Sequence, residues 1–195
     1  MKTTALLLSI IFSISLLNAK DIIKDPTFKK KDKYWFLQLK SEYRGLKSEY
    51  KKGSISLTTT HTSENYYVSL VTEAPVKEGR IYQLRFKFKG SGQGHVYVGE
   101  RSYPNIFKGK KFQADDKLLN LGLFQKFEPT SEWQEANCIF KAEKNPASHL
   151  IESLIFMLGE YQGEVTISDL SFVELKGSTA SPKVKRGDME ITKAK

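Results

Sequence analysis

In His95-Val-Tyr-Val-Gly-Glu-Arg101, strand alternation sets His95, Tyr97 and Arg101 on one face and Val96 and Val98 on the other. If the valines face a core, an imidazole, a phenol ring and a guanidinium face water together. A ring plane that covers the apolar faces of a sugar, beside groups that hydrogen-bond its hydroxyls, is the chemistry of glycan binding. A tyrosine that merely covers the sheet is the alternative, and it stays open here. Loops add further candidates: Tyr66 or Tyr67, Tyr103 and Phe107 within Ser102-Tyr-Pro-Asn-Ile-Phe107, Phe124, and Tyr161 with Gln162. Loops at a sandwich edge commonly carry such groups, and only one of two adjacent strand tyrosines can face outward.

Other chemistries find little support. The histidines are His61, His95 and His149, none at metal-ligand spacing, and no serine sits in a Gly-x-Ser-x-Gly elbow. Asp115 and Asp116 are adjacent in an expected loop and point apart, so they do not form the opposed carboxylate pair of a glycosidase. No catalytic residue is expected. The single cysteine, Cys138, cannot form an internal disulfide. It alternates with Ala136 and Phe140, the pattern of a buried, inert thiol.

The elements that must position these residues read as short strands. In Ile81-Tyr-Gln-Leu-Arg-Phe-Lys-Phe-Lys89 the apolar side chains alternate with Gln83, Arg85 and Lys87, as in a strand with one wet face. Gly90-Ser-Gly-Gln-Gly94 breaks that pattern and His95 to Arg101 resumes it, which reads as a hairpin across a glycine turn. Further strands are expected at Ser54 to Thr59, Tyr66 to Thr72, Trp133 to Lys141, Leu150 to Leu158 and Glu164 to Glu174. Leu118 to Phe127 reads as strand plus loop, and Leu37 to Tyr50 as one short helix or an irregular strand pair. Short strands separated by turn signals indicate an all-β sandwich or barrel. Leu84, Phe86, Phe88, Leu154, Phe156, Leu158, Val165 and Ile167 form its expected core.

The ends differ from this body. Lys2, the apolar run Ala5 to Leu17 and Ala19 before Lys20-Asp21 have the three parts of a cleavable secretory signal over residues 1–19. The run is shorter than the roughly 20 apolar residues that span a bilayer. A secreted or periplasmic, monomeric domain is therefore expected over residues 20–176. Residues 177–195 are small, basic and poor in apolar side chains, as disordered tails are. The formal charge is +9. An excess of that kind suits acidic glycans, anionic surfaces or solubility alike. Nucleic acid is not an expected partner, because the basic residues are dispersed and no nucleic-acid motif is present.

The order of these fragments resembles the jelly-roll carbohydrate-binding modules of families 4, 9 and 22, which are galactose-binding domain-like sandwiches. Asp25-Pro-Thr-Phe28 followed by Trp35 is similar to the family opening. Val76-Lys-Glu-Gly-Arg-Ile-Tyr-Gln-Leu-Arg-Phe86 is similar to its central stretch. Trp133 with Phe140, Leu154-Ile-Phe-Met-Leu-Gly159, Gly163-Glu-Val-Thr-Ile-Ser-Asp169 and Leu170-Ser-Phe172 follow its closing order. The resemblance implies a jelly-roll β-sandwich that binds a polysaccharide or glycan across a concave sheet without cleaving it. An exported sandwich for envelope or protein contact is the alternative, and a glycan-active hydrolase or lyase comes last. The resemblance places Trp35 and Trp133 in the core. It also implies one structural calcium, which here would use Asp25 and Asp169. Lys29 stands where the family often has a glutamate, so a cation replaces one oxygen donor.

Overall fold

The computed structural model describes residues 20–39, 45–113, 116–176 and 189–194. Residues 1–19, and with them the expected signal, lie outside the described residues. The described residues form eleven strands in two antiparallel sheets and no α-helix. The strands are β1 (Phe36–Leu39), β2 (Leu46–Lys51), β3 (Ser54–Thr59), β4 (Val68–Glu73), β5 (Ile81–Gly94), β6 (Val96–Pro104), β7 (Asn120–Phe127), β8 (Gln134–Lys141), β9 (Leu150–Met157), β10 (Tyr161–Glu174) and β11 (Met189–Lys193). One sheet has the order β1-β4-β9-β6-β7 and the other β11-β8-β5-β10-β3-β2. Together they make the expected jelly-roll sandwich.

Period-2 alternation explains how the sheets meet. Tyr82, Leu84, Phe86 and Phe88 of β5 and Val165 and Ile167 of β10 point from the six-stranded sheet into the core. Val96 and Val98 of β6 and Leu154 and Phe156 of β9 answer them from the five-stranded sheet. Every expected core residue is buried. Phe86 joins the layers, packing edge-on against Phe156 at 5.2 Å and against Phe127 at 5.4 Å. Such aromatic pairs add to the burial of their area.

The expected β5–β6 hairpin does not exist. Gly90 to Gly94 continues β5 and pairs with Tyr161 to Val165 of β10, whereas β6 pairs with β7 and β9 in the opposite sheet. The glycines serve close approach rather than a turn at this point. A Cβ on Gly90 or Gly92 would meet the Tyr161 hydroxyl within 3 Å and backbone oxygens of β10 closer still. Between β5 and β6 the chain crosses from one sheet to the other at Gly94 and His95.

Two further expectations change. Met189–Lys193 of the tail is an edge strand, antiparallel to β8, because its alternating residues complete the open edge that β8 would otherwise present. Residues 177–188 lie outside the described residues. Trp133 is only half-buried and its ring lies under the Lys89 ammonium at 4.9 Å. Trp35, in contrast, is fully buried, 4.8 Å from Phe28, and donates its indole N–H to the Asp25 carbonyl at 2.8 Å. The opening motif is thus a packed corner that seals one end of the sandwich. Cys138 is buried in the core, and burial pushes its thiol pKa up to about 12, which keeps it unreactive.

Candidate functional site

The outer face of the five-stranded sheet is where chemistry can gather. Along β6, Tyr97, Gly99, Arg101 and Tyr103 alternate outward. Their neighbours on β9 and β4 are Met157, Ile155, Ser69 and Val71. Val71, Tyr103, Ile155 and Met157 form a second apolar cluster, separate from the core, onto which Ile106 and Leu118 of the β6–β7 connection fold. That connection builds one wall. The turn before β4, with Asn65 and Tyr66, builds the other.

Between the walls lies a cleft of ≈ 530 Å³, a size suited to several sugar-sized groups. Ile155 and Met157 floor it. Tyr66, Tyr103, Phe112 and Phe124 supply aromatic surface, and Gln38, Asn65, Ser69, Arg101 and Asp116 supply polar groups. Tyr66 is 41% exposed and Phe124 37%, so both offer ring surface to a ligand. Tyr103 is nearly buried, its ring edge-on to Phe112 at 5.0 Å. Burial pushes its hydroxyl pKa up, so it stays a neutral donor.

Gly99 fixes the floor. A Cβ there would lie 3.2 Å from the Phe124 ring and 3.4 Å from the Arg101 side chain. Its absence lets both side chains fold across the strand. The Phe124 ring then lies between two partners: Tyr97 stacks on it at 5.6 Å, and the Arg101 guanidinium sits 5.4 Å from its centroid. Arg101 donates to the Leu118 carbonyl at 2.5 Å and to the Met157 sulfur at 3.5 Å. Its Nε–H is buried with no partner among the described residues. Burial lowers its pKa from the usual arginine value. Asp116 accepts from the Gln113 N–H at 2.7 Å and is bonded to His149 Nε2 at 2.5 Å, and these contacts hold its carboxyl below the ordinary range. They tie the wall formed by the β6–β7 connection to the loop before β9.

Of the sequence candidates, the cleft gathers Arg101 and Tyr103. Tyr97 stands behind Phe124, its hydroxyl donating to Glu160 at 2.7 Å, so it supports the floor rather than lining it. His95 lies at the start of β6, paired with Glu128 at 3.1 Å. Gln162 is exposed but on the other sheet, donating to the Thr60 carbonyl at 3.0 Å. Tyr161 is a correction: its ring is fully buried in the core beneath Gly90 and Gly92. The residue preceding it ends a tight turn, and the strand starts with Tyr161 pointing inward. Sequence reasoning missed Gln38, Asn65, Phe112 and the lining role of Asp116. The lone aromatic in Lys110-Lys-Phe112 was the one signal that could have found Phe112.

The residues that would hold calcium do not fit the ion. Both carboxylate oxygens of Asp25 already accept backbone N–H groups, from Lys29 at 3.1 Å and Lys30 at 2.7 Å. Asp169 sits in the β10 bulge at φ 49° and pairs with Lys87 at 3.1 Å. The link between the opening segment and the last core strand is made instead by Asp21, which accepts from the N–H groups of Ile23 and Phe172. Among the described residues no three His, Cys, Asp or Glu side chains converge as a metal site.

No protein-family model and no curated protein sequence matches the chain. Solved structures do. A family 4 carbohydrate-binding module matches at a TM-score of 0.60 and 16% identity, over 78% of this chain and 99% of its own. The N-terminal cellulose-binding domain of Cellulomonas fimi β-1,4-glucanase C matches at 0.55 and 19%, over 80% and 98%. The enzymatically active domain of tailspike protein 4 from bacteriophage CBA120 matches at 0.54 and 9%, over 80% of this chain but only 21% of the tailspike. The chain therefore has the jelly-roll sandwich of the family 4 type of carbohydrate-binding module, with a walled cleft on its five-stranded sheet.

Proposed function

We propose that this chain is an exported module that holds a polysaccharide or glycan in the cleft without cleaving it. The observation that carries the reading is the cleft's lining: ring surface of Tyr66, Phe112 and Phe124 interleaved with the amides of Gln38 and Asn65 and the charges of Arg101 and Asp116. Sugar rings present apolar faces and peripheral hydroxyls, and this lining offers a counterpart to each. The similarity to cellulose-binding and other carbohydrate-binding modules supports the same reading. So does the secretory pattern of residues 1–19, since structural polysaccharides of cell walls and matrices lie outside the cytoplasm.

Binding without cleavage is supported by the carboxylates. Glycoside hydrolysis ordinarily needs two that flank the scissile bond. Among the described residues Asp116 is the sole carboxylate side chain in the lining, and His149 and the Gln113 N–H hold it. A face for protein contact alone would not need aromatic rings recessed between walls. Affinity electrophoresis of the purified protein through gels containing soluble polysaccharides tests the proposal. Retardation by at least one polysaccharide, lost in Tyr66→Ala, is the expected result. Free migration through every gel would overturn it.

A further inference from the structure

We infer that the cleft selects an anionic glycan, one carrying carboxylate or sulfate groups, and that Arg101 is the residue that reads the charge. The inference rests on the proposed glycan-binding role of the cleft and names the ligand class.

Arg101 is a cation at the floor of a recessed site, and its surroundings do not neutralise it. Among the described residues it makes no ion pair: its partners are a carbonyl, a thioether and the face of Phe124. A guanidinium has five N–H donors in a fixed fork, and beyond the contacts to Leu118 and Met157 the remaining three have no acceptor in the protein among the described residues, the one on Nε being buried. Partial burial of an unpaired charge is costly unless something compensates. The one carboxylate in the lining among the described residues, Asp116, is engaged by His149 and the Gln113 N–H instead. A ligand anion is the missing compensation, and arginine's planar fork matches carboxylate and sulfate oxygens bidentately.

The wall beside Arg101 has the same sign. The β6–β7 connection, which brings Phe112, Asp116 and Leu118 to the cleft, also carries Lys108, Lys110, Lys111 and Lys117, all exposed. Against these four the segment holds two acids, Asp115 and Asp116. The segment is therefore positive overall although Asp116 itself lines the cleft, and a net charge beside a low-dielectric cleft concentrates oppositely charged ligands. A neutral β-glucan could accept from the same N–H donors but would gain nothing from the charge.

The test compares polysaccharides differing in charge: polygalacturonate and alginate as carboxylates, dextran sulfate as a sulfate ester, and barley β-glucan, xylan and dextran as neutral partners. Affinity electrophoresis and titration calorimetry are run on the full chain and on Arg101→Gln, Lys110→Gln/Lys111→Gln and, as a charge-matched control on the opposite sheet, Lys47→Gln/Lys51→Gln. The expected result is at least roughly tenfold tighter binding of one anionic class, lost in Arg101→Gln, as a charge-assisted bidentate contact implies. The loop pair should weaken it about threefold and steepen no salt dependence, while the control pair changes nothing. The arms with carboxylate and with sulfate identify which anion is read. Equal or tighter binding of neutral glycans overturns the inference and leaves the glycan-binding reading standing. Binding of no polysaccharide overturns both. Equal losses in the loop and control pairs overturn the assignment to the cleft, since net charge alone would then explain them. If Arg101→Gln fails to fold by circular dichroism, the loop and control pairs decide.

Discussion

The two outer faces of the sandwich are built from the same repeat of alternating strands, yet they end in opposite conditions. On the six-stranded sheet the polar groups largely satisfy one another: Ser56 with Thr166 at 2.8 Å, Gln83 with Asn137 at 2.8 Å, Arg85 with Glu135, and Lys87 with Asp169 at 3.1 Å. On the five-stranded sheet, Gln38 Oε1, Arg101 Nε and Ser153 Oγ are buried without partners among the described residues. Buried polar atoms in folded proteins are nearly always paired, so each exception asks for a reason. Gln83 Oε1 and Tyr50 Oη of the six-stranded sheet are buried without partners too, but on the five-stranded sheet two of the residues with such atoms, Gln38 and Arg101, line the cleft. The face whose unpaired donors and acceptors lie beside exposed rings and a walled floor is the one shaped for a ligand.

That contrast requires one shared core beneath both faces, which gives the largest expected effect. Phe86→Ala on the six-stranded sheet and Phe156→Ala on the five-stranded sheet should each cost about 3–5 kcal/mol, because the two rings meet in the centre and leave a cavity when removed. Urea denaturation measures both. A loss under about 1 kcal/mol from either would mean the sheets do not depend on each other.

Next in size is Glu100, which interrupts the core under the cleft. Its carboxyl is fully buried opposite Leu123 and Leu154, and neither oxygen has a partner among the described residues. Burial, with a smaller contribution from Glu152, raises its pKa well above the usual value. Below the ordinary glutamate pKa both folded and unfolded chains hold the proton, and Glu100 has no pH-dependent effect. As pH rises beyond it, the unfolded chain ionises first, so stability falls until the folded pKa is reached. Glu100→Gln should therefore raise stability at pH 7, on the order of 1–3 kcal/mol at about 1.4 kcal/mol for each pH unit above the unfolded pKa, and make little difference at pH 4. Equal gains at both pH values would show that shape, not charge, is responsible.

The comparison sharpens further in binding. Phe124→Ala should weaken the best glycan by about one to two orders of magnitude, since a ring at the centre of a recessed site is worth a few kcal/mol. Lys89→Ala, which unstacks Trp133 on the other sheet, should leave affinity within about twofold. Tyr97→Ala should fall between, because Tyr97 holds the Phe124 ring from behind. Titration of all three against one polysaccharide ranks them. A larger loss from Lys89→Ala than from Phe124→Ala would move the site to the six-stranded face.

What was legible in the sequence follows the range of the interactions. Alternation is local, so the inward phase of Phe86, Phe88, Leu154 and Phe156 could be read directly, and so could the outward phase of Tyr97 and Arg101. Sheet membership is not local. Nothing within Gly90 to Gly94 says that these residues pair with β10, and the glycines read equally well as a turn. The cleft was partly legible for the same reason: Tyr66 and Phe124 stood out as aromatics near turns, but their meeting with Gln38 and Phe112 depends on β1, β4, β6 and β7 lying in one sheet. Tyr161 misled because its two polar neighbours, Glu160 and Gln162, made a core ring look like a loop residue.

The smallest expected effect concerns metal, and it rests on the corner rather than on either face. The family resemblance places calcium beside Asp25, where a carboxylate oxygen would have to leave the Lys29 or Lys30 N–H to reach an ion. Those two bonds close the loop that delivers Phe28 to Trp35, so freeing them would loosen the packed end of the core. The Lys29 side chain adds a positive charge beside the same position, and the Asp169 carboxylate already has Lys87. Calcium gathers six to eight oxygens and gains little where the first is spoken for. A ligand that binds only the folded state must raise Tm with its concentration. Scanning calorimetry in chelator and then in millimolar calcium should give the same Tm, whereas Asp25→Asn should lower it in both, since the amide can no longer accept from two N–H groups. A calcium-dependent rise lost in Asp25→Asn would show that the corner opens to take the ion and that Lys29 does not repel it.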